Sequence, residues 1–289
     1  MNTNGNTYTV IYSTVLVMVV AAVLAFAASS LKPFQNENVK KETITKVLMA
    51  ATASSQSVAV TEDTDVMALY AQKIESAFFV DGNGKVAGQM NTGRDNIKDI
   101  QVATTSDLKK QNDIFKQIEK GDSSLLENLR LPVYIFDIDS QKVTVIPCYG
   151  AGLWGPIWGY IAVREDGKEI LGAIFDHKGE TPGLGAKIAE EPFYSQFKGK
   201  VFSDGAKKFS VVKGGAKGAE DGVDAVSGAT ITSQALDVTI NTWVRYYEPY
   251  FAGIRQAAAE AAQAEALEAE TATPEAEVSE EGTGVEAVK

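Results

Sequence analysis

Between Ser227 and Ser233 the chain places four hydroxyl side chains around one glycine (SGATITS), with a carboxylate upstream at Asp224 and an apolar helical pattern downstream. A helix that starts here has first-turn N–H groups without internal partners, and these carry the positive end of the helix macrodipole, so the position suits a phosphate. Gly228 permits close approach of the backbone. The plainer reading is that Ser227, Thr230 or Thr232 caps the helix, since such residues are the common caps. Four hydroxyls exceed what a cap needs, but they do not by themselves name a chemistry.

A second stretch, Asp176 to Ile188 (DHKGETPGLGAKI), follows a β-rich run and contains Pro182, Gly183 and Gly185. Such a turn brings backbone close to a planar ligand, or is simply a loop in which His177 makes a local hydrogen bond. A third, Gly150 to Val163 (GAGLWGPIWGYIAV), sets two tryptophans among four glycines. It reads as a hydrophobic turn filled by indoles, or as an apolar wall for an aromatic cofactor or a membrane partner.

The elements that must position these stretches alternate β-rich runs with glycine turns: Ala77 to Val80, an Asp81–Gly84 turn, Val133 to Asp137, Lys142 to Ile146, Gly159 to Arg164 and Glu169 to Asp176. The loop from Arg164 to Lys168 reads as a hairpin connection. A closing helix spans Ile231 to Phe251, with Ile231, Ala235, Val238, Trp243 and Tyr246 as its periodic apolar positions. The expected fold class is α+β, a mostly antiparallel sheet with flanking helices.

Upstream, Val10 to Ala28 is free of charge and proline and long enough to cross a bilayer of ~30 Å. It reads as one transmembrane helix, the alternative being a signal peptide cleaved near Ala25–Ala27. Lys32, Lys40 and Lys41 follow it and pull the C-terminal side toward the cytoplasm by the positive-inside rule, weakly for so large a domain. Val39 to Ser57 and Asp65 to Phe79 have helical spacing. The chain divides into an anchor (1–31), a helical connector (32–76), an α+β domain (77–255) and an acidic Ala/Glu-rich tail (256–289), which reads as a frayed helix passing into a solvated, disordered end. Of the net charge of -11, the tail's nine Glu and one Lys supply -8, so the rest is nearly neutral and no nucleic-acid partner is expected. One cysteine (Cys148) and one histidine argue against an intrachain disulfide or a Cys/His metal site. No G-x-G-x-x-G stands between a strand and a helix, so no dinucleotide-binding site of that kind is expected in this chain.

Together the three stretches resemble the FMN-binding domain family, which includes flavin-carrying subunits of sodium-translocating NADH:quinone reductases and of the Rnf electron-transport complex. The family's Asp-x-x-Ser/Thr-Gly-Ala-Thr pattern is met by Asp224, Ser227, Gly228, Ala229 and Thr230, and its Glu-Thr-Pro-Gly-Leu-Gly pattern by Glu180, Thr181, Pro182, Gly183, Leu184 and Gly185. Gly152-Leu153-Trp154 favours the sodium-pump branch over the Rnf branch, whose complex exchanges electrons between ferredoxin and NAD. The resemblance implies FMN held by a phosphoester on Thr230, installed by a magnesium-dependent flavin transferase from FAD. It implies that Asp224 assists the transferase, that Ser227 and Thr232 bond phosphate oxygens, and that the turn with Thr181, Gly183, Leu184 and Gly185 lies near the flavin ring. It further implies an electron-relay role, with no catalytic residue of its own, in a hetero-oligomeric complex of the bacterial inner membrane. That complex couples NADH oxidation and ubiquinone reduction to sodium export, with this domain periplasmic. The Rnf-type subunit and a membrane-anchored, non-redox binding protein are the alternatives.

Overall fold

The computed structural model describes residues 5–202, 209–216 and 218–271. An apolar helix, α1 (Asn6–Thr52), opens the chain and runs unbroken through Pro33, past the expected end of the anchor. Its first part is exposed, while Ile44, Val47, Leu48, Ala50 and Ala51 are buried against the domain, so the last turns of α1, within the connector, pack into the core. Next come α2 (Val66–Lys73) and β1 (Ile74–Val80). The helical spacing read over Asp65 to Phe79 therefore ends at Lys73, where the chain becomes an Ile/Phe/Val-rich strand. β2 (Val86–Gln89) and α3 (Thr105–Glu119) follow; α3 starts at a capping box between Thr104 and Asp107.

β3 (Leu131–Ile138), β4 (Gln141–Ala151), β5 (Pro156–Arg164) and β6 (Ile170–His177) complete an antiparallel sheet of order β2-β1-β3-β4-β5-β6. The expected fold class holds. Both faces of the sheet are covered, so its central strands are apolar at odd and even positions alike. Tyr134, Phe136, Val143, Val145 and Tyr160 face α1 and α2. Val133, Ile146, Cys148, Ile161 and Phe175 face the other core, with Leu236, Ile240, Trp243 and Tyr247. After β6 come a short helix, α4 (Glu191–Tyr194), and a parallel pair, β7 (Ser210–Val212) and β8 (Gly222–Asp224). The closing helix, α5, runs Thr230–Thr271, past the expected end at Phe251 and through the Ala/Glu-rich stretch read as a frayed helix; residues 272–289, the rest of the tail, lie outside the described residues.

The phase of α5 differs from the sequence reading. Ile231 and Val238 are exposed, and the buried face carries Thr232, Ser233, Leu236, Thr239, Ile240, Trp243 and Tyr247. That phase is pinned by buried hydrogen bonds: Trp243 Nε1 donates to the Tyr149 carbonyl (2.7 Å) and the Tyr247 hydroxyl to the Pro132 carbonyl (2.7 Å). At the crossing with β4, a Cβ on Gly150 would lie 1.9 Å from Thr239 Oγ1.

The direction of α1 decides where the rest faces. Lys46 pairs with Asp176 near the C-terminal end of β6, Ala53 lies against Gly172, and Ser54 Oγ donates to the Leu171 carbonyl. The helix thus runs antiparallel to β6, and its apolar half leaves the domain from the end where β6 finishes and the β4–β5 hairpin turns.

Candidate functional site

β8 delivers the chain to the start of α5 through a turn held at several points. The Asp224 N–H donates to Gln196 Oε1 (2.9 Å), and the Asp224 carboxylate accepts from the Ala216 amide (3.0 Å). The Ala225 N–H donates to the Val212 carbonyl (2.6 Å). Gly228 then takes a left-handed φ of 79°, which a residue with a side chain rarely adopts, and α5 begins two residues later. The four hydroxyls separate into two classes. Ser233 Oγ is buried and accepts from the Val226 N–H (3.1 Å), and buried Thr232 Oγ1 donates to Glu180 Oε2 (2.6 Å). Ser227 and Thr230 are exposed. The side chain that satisfies motif backbone is thus Ser233, and Thr232, expected at a phosphate, turns its proton inward to Glu180.

Glu180 is the residue that sequence reasoning passed over. It appears there only as the first letter of a pattern, yet the residue is 4% exposed and its carboxylate links all three stretches. Oε1 accepts from the Trp154 N–H at 2.9 Å, Oε2 accepts from Thr232, and the Glu180 N–H donates to His177 Nδ1 at 3.2 Å. The last contact gives His177 its local bond and makes Nδ1 the acceptor. The neighbouring glycines make room for the carboxylate. A Cβ on Gly152 would lie 2.5 Å from Oε1, and one on Gly185 would lie 2.3 Å from Oε2 and 2.7 Å from Thr232 Oγ1.

The Glu180–Gly185 turn closes over the start of α5: a Cβ on Gly228 would lie 3.1 Å from Leu184 Cδ2. Thr181 accepts from the Leu184 and Ala186 amides through its carbonyl, and Gly183 sits at φ 75° with open space around its Cα. At the β4–β5 tip, of the two readings of this stretch, the turn filled by indoles does not hold for Trp154, which is 68% exposed; Leu153 and Leu184 are also exposed, and Trp158 is half-buried under Lys46. Next to the turn, a cavity of about 260 Å³ is lined by Lys187, Phe193, Gln196, Asp224 and Ser227. Cys148 lies elsewhere, and burial pushes its thiol up to about 12. An exposed hydroxyl at the start of a helix with no acidic residue in its first turn, beside exposed apolar side chains, can hold an anionic group tethered to an aromatic one.

Residues 152–245, which contain all of these loops, match the FMN-binding domain family. NqrC, a subunit of the Na(+)-translocating NADH-quinone reductase, from Vibrio vulnificus is 31% identical over 83% of this chain and 92% of its own length. Its counterpart in Pasteurella multocida is 29% identical over 81% and 88%. Among solved structures, the counterpart from Parabacteroides distasonis superposes with a TM-score of 0.58 at 31% identity, covering 76% of this chain and 96% of that one. NqrC of Shewanella oneidensis gives 0.57 at 28% identity, covering 76% and 99%.

Proposed function

The chain belongs to the NqrC family of Na(+)-translocating NADH-quinone reductase subunits, and from that premise we propose that it is the complex's FMN-carrying electron-relay subunit, with the flavin on Thr230. The observation that carries the reading is the convergence of the Trp154 tip, the Glu180–Gly185 turn and the start of α5 on the Glu180 carboxylate, whose partner Thr232 lies two residues from exposed Thr230. When bound, FMN supplies the electron chemistry; the protein sets its position and potential.

The residues present fit the group. Thr230 offers the acceptor hydroxyl, and the first-turn amides of α5 face the phosphate position. Gly228 turns the chain so that no side chain crowds the acceptor. Leu153, Trp154 and Leu184 give apolar surface for the ring and shield it from water. Asp224, its carboxylate engaged with Ala216, shapes the loop that a flavin transferase must recognise, and Ser227 is the free hydroxyl available to a phosphate oxygen.

The course of α1 supports a partner in the membrane. With Val10–Ala28 in the bilayer, the helix rises ~1.5 Å per residue to Lys46, about 27 Å above the boundary. The Trp154 tip returns toward the membrane by roughly 13 Å at ~3.3 Å per residue from Trp158, which pairs with Asp176. On this reading the Trp154 tip faces the bilayer from about 15 Å, which supports an exchange of electrons with membrane-embedded subunits that pass them toward quinone and export sodium. The domain is assigned to the periplasmic side, the bilayer to the inner membrane, and residues 1–31 to the anchor.

Mass spectrometry of denatured chain, coexpressed with a flavin transferase, tests the assignment. Wild type and Ser227→Ala should each gain one FMN, and Thr230→Val none. Covalent flavin on Thr230→Val would overturn the attachment point, and its absence from wild type would overturn the covalent reading.

A further inference from the structure

We propose that Glu180 is a positioning residue that fixes the apolar wall of the site relative to the flavin acceptor, an inference that rests on the reading of Thr230 given above. Its two carboxylate bonds reach separate elements, and each element carries part of the site. Oε1 holds the backbone N–H of Trp154, the residue whose indole stands exposed at the β4–β5 tip. Oε2 holds the hydroxyl of Thr232, which shares the first turn of α5 with Thr230. The chain that carries the carboxylate continues to Leu184, which covers Gly228. Displacing this group therefore moves the wall, the covering turn and the acceptor independently of one another.

The location of the bonds separates this role from ordinary core packing. The Thr232 bond is buried and the Trp154 bond part-buried, so the Thr232 hydroxyl has no water to replace Glu180, and the Trp154 N–H opens to solvent once its acceptor is removed. The partners differ in freedom. The Trp154 N–H can only donate, while the Thr232 hydroxyl can rotate and accept. Glu180→Gln can therefore keep its oxygen on Trp154 and turn its NH₂ to Thr232, preserving the tip and reversing one bond. Glu180→Ala releases both.

The test uses the full-length chain in detergent, prepared with and without a coexpressed transferase. In flavin-free protein, Glu180→Ala should speed amide exchange at Trp154 at least tenfold. Thr232→Val should loosen the first turn of α5 and leave Trp154 protected, and Thr232→Ser should match wild type. In flavin-loaded protein, Glu180→Ala and Thr232→Val should change the visible circular dichroism and midpoint potential of the flavin. Glu180→Gln should fall between wild type and Glu180→Ala, and it carries the test if the alanine variant does not fold. Trp154→Ala should change the flavin signals without loosening α5. Unchanged Trp154 exchange in folded Glu180→Ala overturns the proposal, as do wild-type flavin dichroism and potential in Glu180→Gln if the alanine variant does not fold. So does faster exchange with wild-type dichroism and potential, which would leave Glu180 as a fold element only. Failure of wild type to take covalent flavin would remove the Thr230 reading, while the exchange arm would still decide whether Glu180 clasps the loops.

Discussion

Two glycines separated by one residue should respond very differently to a methyl group. At Gly185 a Cβ would stand 2.3 Å from Glu180 Oε2 and 2.7 Å from Thr232 Oγ1, while at Gly183 it would meet nothing within 4 Å. The backbone reverses the ranking: Gly183 sits at φ 75° and Gly185 lies outside the left-handed region. Gly183→Ala therefore costs only the left-handed penalty, about 1–2 kcal/mol. Gly185→Ala must push apart a buried hydrogen bond to a carboxylate, worth about 1.5–3 kcal/mol, and strain its surroundings by about 1–3 kcal/mol more. At roughly 2–4 °C per kcal/mol for a domain of this size, Gly185→Ala should lower the melting temperature by ~10 °C, and Gly183→Ala by ~5 °C or less. Near-UV circular dichroism of the full-length protein in detergent follows the folded domain without interference from the membrane helix. A second arm locates the cause: in a Thr232→Ala background, where one of the two crowded oxygens is gone, Gly185→Ala should cost less than in wild type. Equal melting temperatures for the two glycine variants, or full additivity with Thr232→Ala, would refute the crowding argument.

The exposed Asp139 carboxylate accepts from the Ser57 and Ser55 hydroxyls and the Gln56 N–H, and these bonds hold its carboxyl below the ordinary carboxylate range. A depressed folded-state value means that this contribution is complete above about pH 4 and is lost as pH falls through the lowered value. The Gln56 and Ser57 amide resonances should stay constant from pH 7 to about 4 and shift below that; Asp139→Asn should remove the step while keeping the left-handed turn at φ 53°. A step above pH 5 would assign the titration to another group. For the periplasmic placement, protease added to intact spheroplasts should digest the domain; digestion only after lysis would put it in the cytoplasm.

The sheet was legible because its strands are β-branched and bounded by glycine turns, and the hairpin at Arg164–Lys168 followed from its loop residues. The face of α5 was not, because periodicity counts apolar residues and the first turns of this helix bury hydroxyls instead. Thr232 is satisfied by Glu180, Ser233 by Val226 and Thr239 by the Ala235 carbonyl, so each can enter the core while Ile231 and Val238 stay outside. Helix α3 escaped notice although its capping box, Thr104 with Asp107, is written in the sequence. Glu180 was invisible as a clasp because its partners stand 26 and 52 residues away. The signal that could have found it is the pair of glycines, Gly152 and Gly185, in two of the motif stretches: a carboxylate buried between loops needs neighbours without Cβ atoms.

Hydrogen bonding within the fold also narrows the chemistry. In sequence, four hydroxyls between Ser227 and Ser233 are equivalent candidates for attachment. In the fold, two are engaged: Ser233 receives the Val226 amide and Thr232 gives its proton to Glu180, both out of contact with solvent. Asp224 and Gln196 are likewise occupied in fastening the approach to the helix. What stays free is a short inventory of Ser227, Thr230 and the exposed side chains of Leu153, Trp154 and Leu184. Ser227 precedes the left-handed Gly228 and stands in the turn, whereas Thr230 is the first residue of the helix, where its hydroxyl adjoins the unpaired first-turn amides. An acceptor on Thr230 places an esterified phosphate where the helix itself favours negative charge, with the attached ring directed to the apolar side chains. An acceptor on Ser227 would place the phosphate before the glycine, one turn away from those amides. The fold's hydrogen bonds thus set aside Thr232 and Ser233, and the proposed choice of Thr230 over Ser227 rests on its place among the first-turn amides.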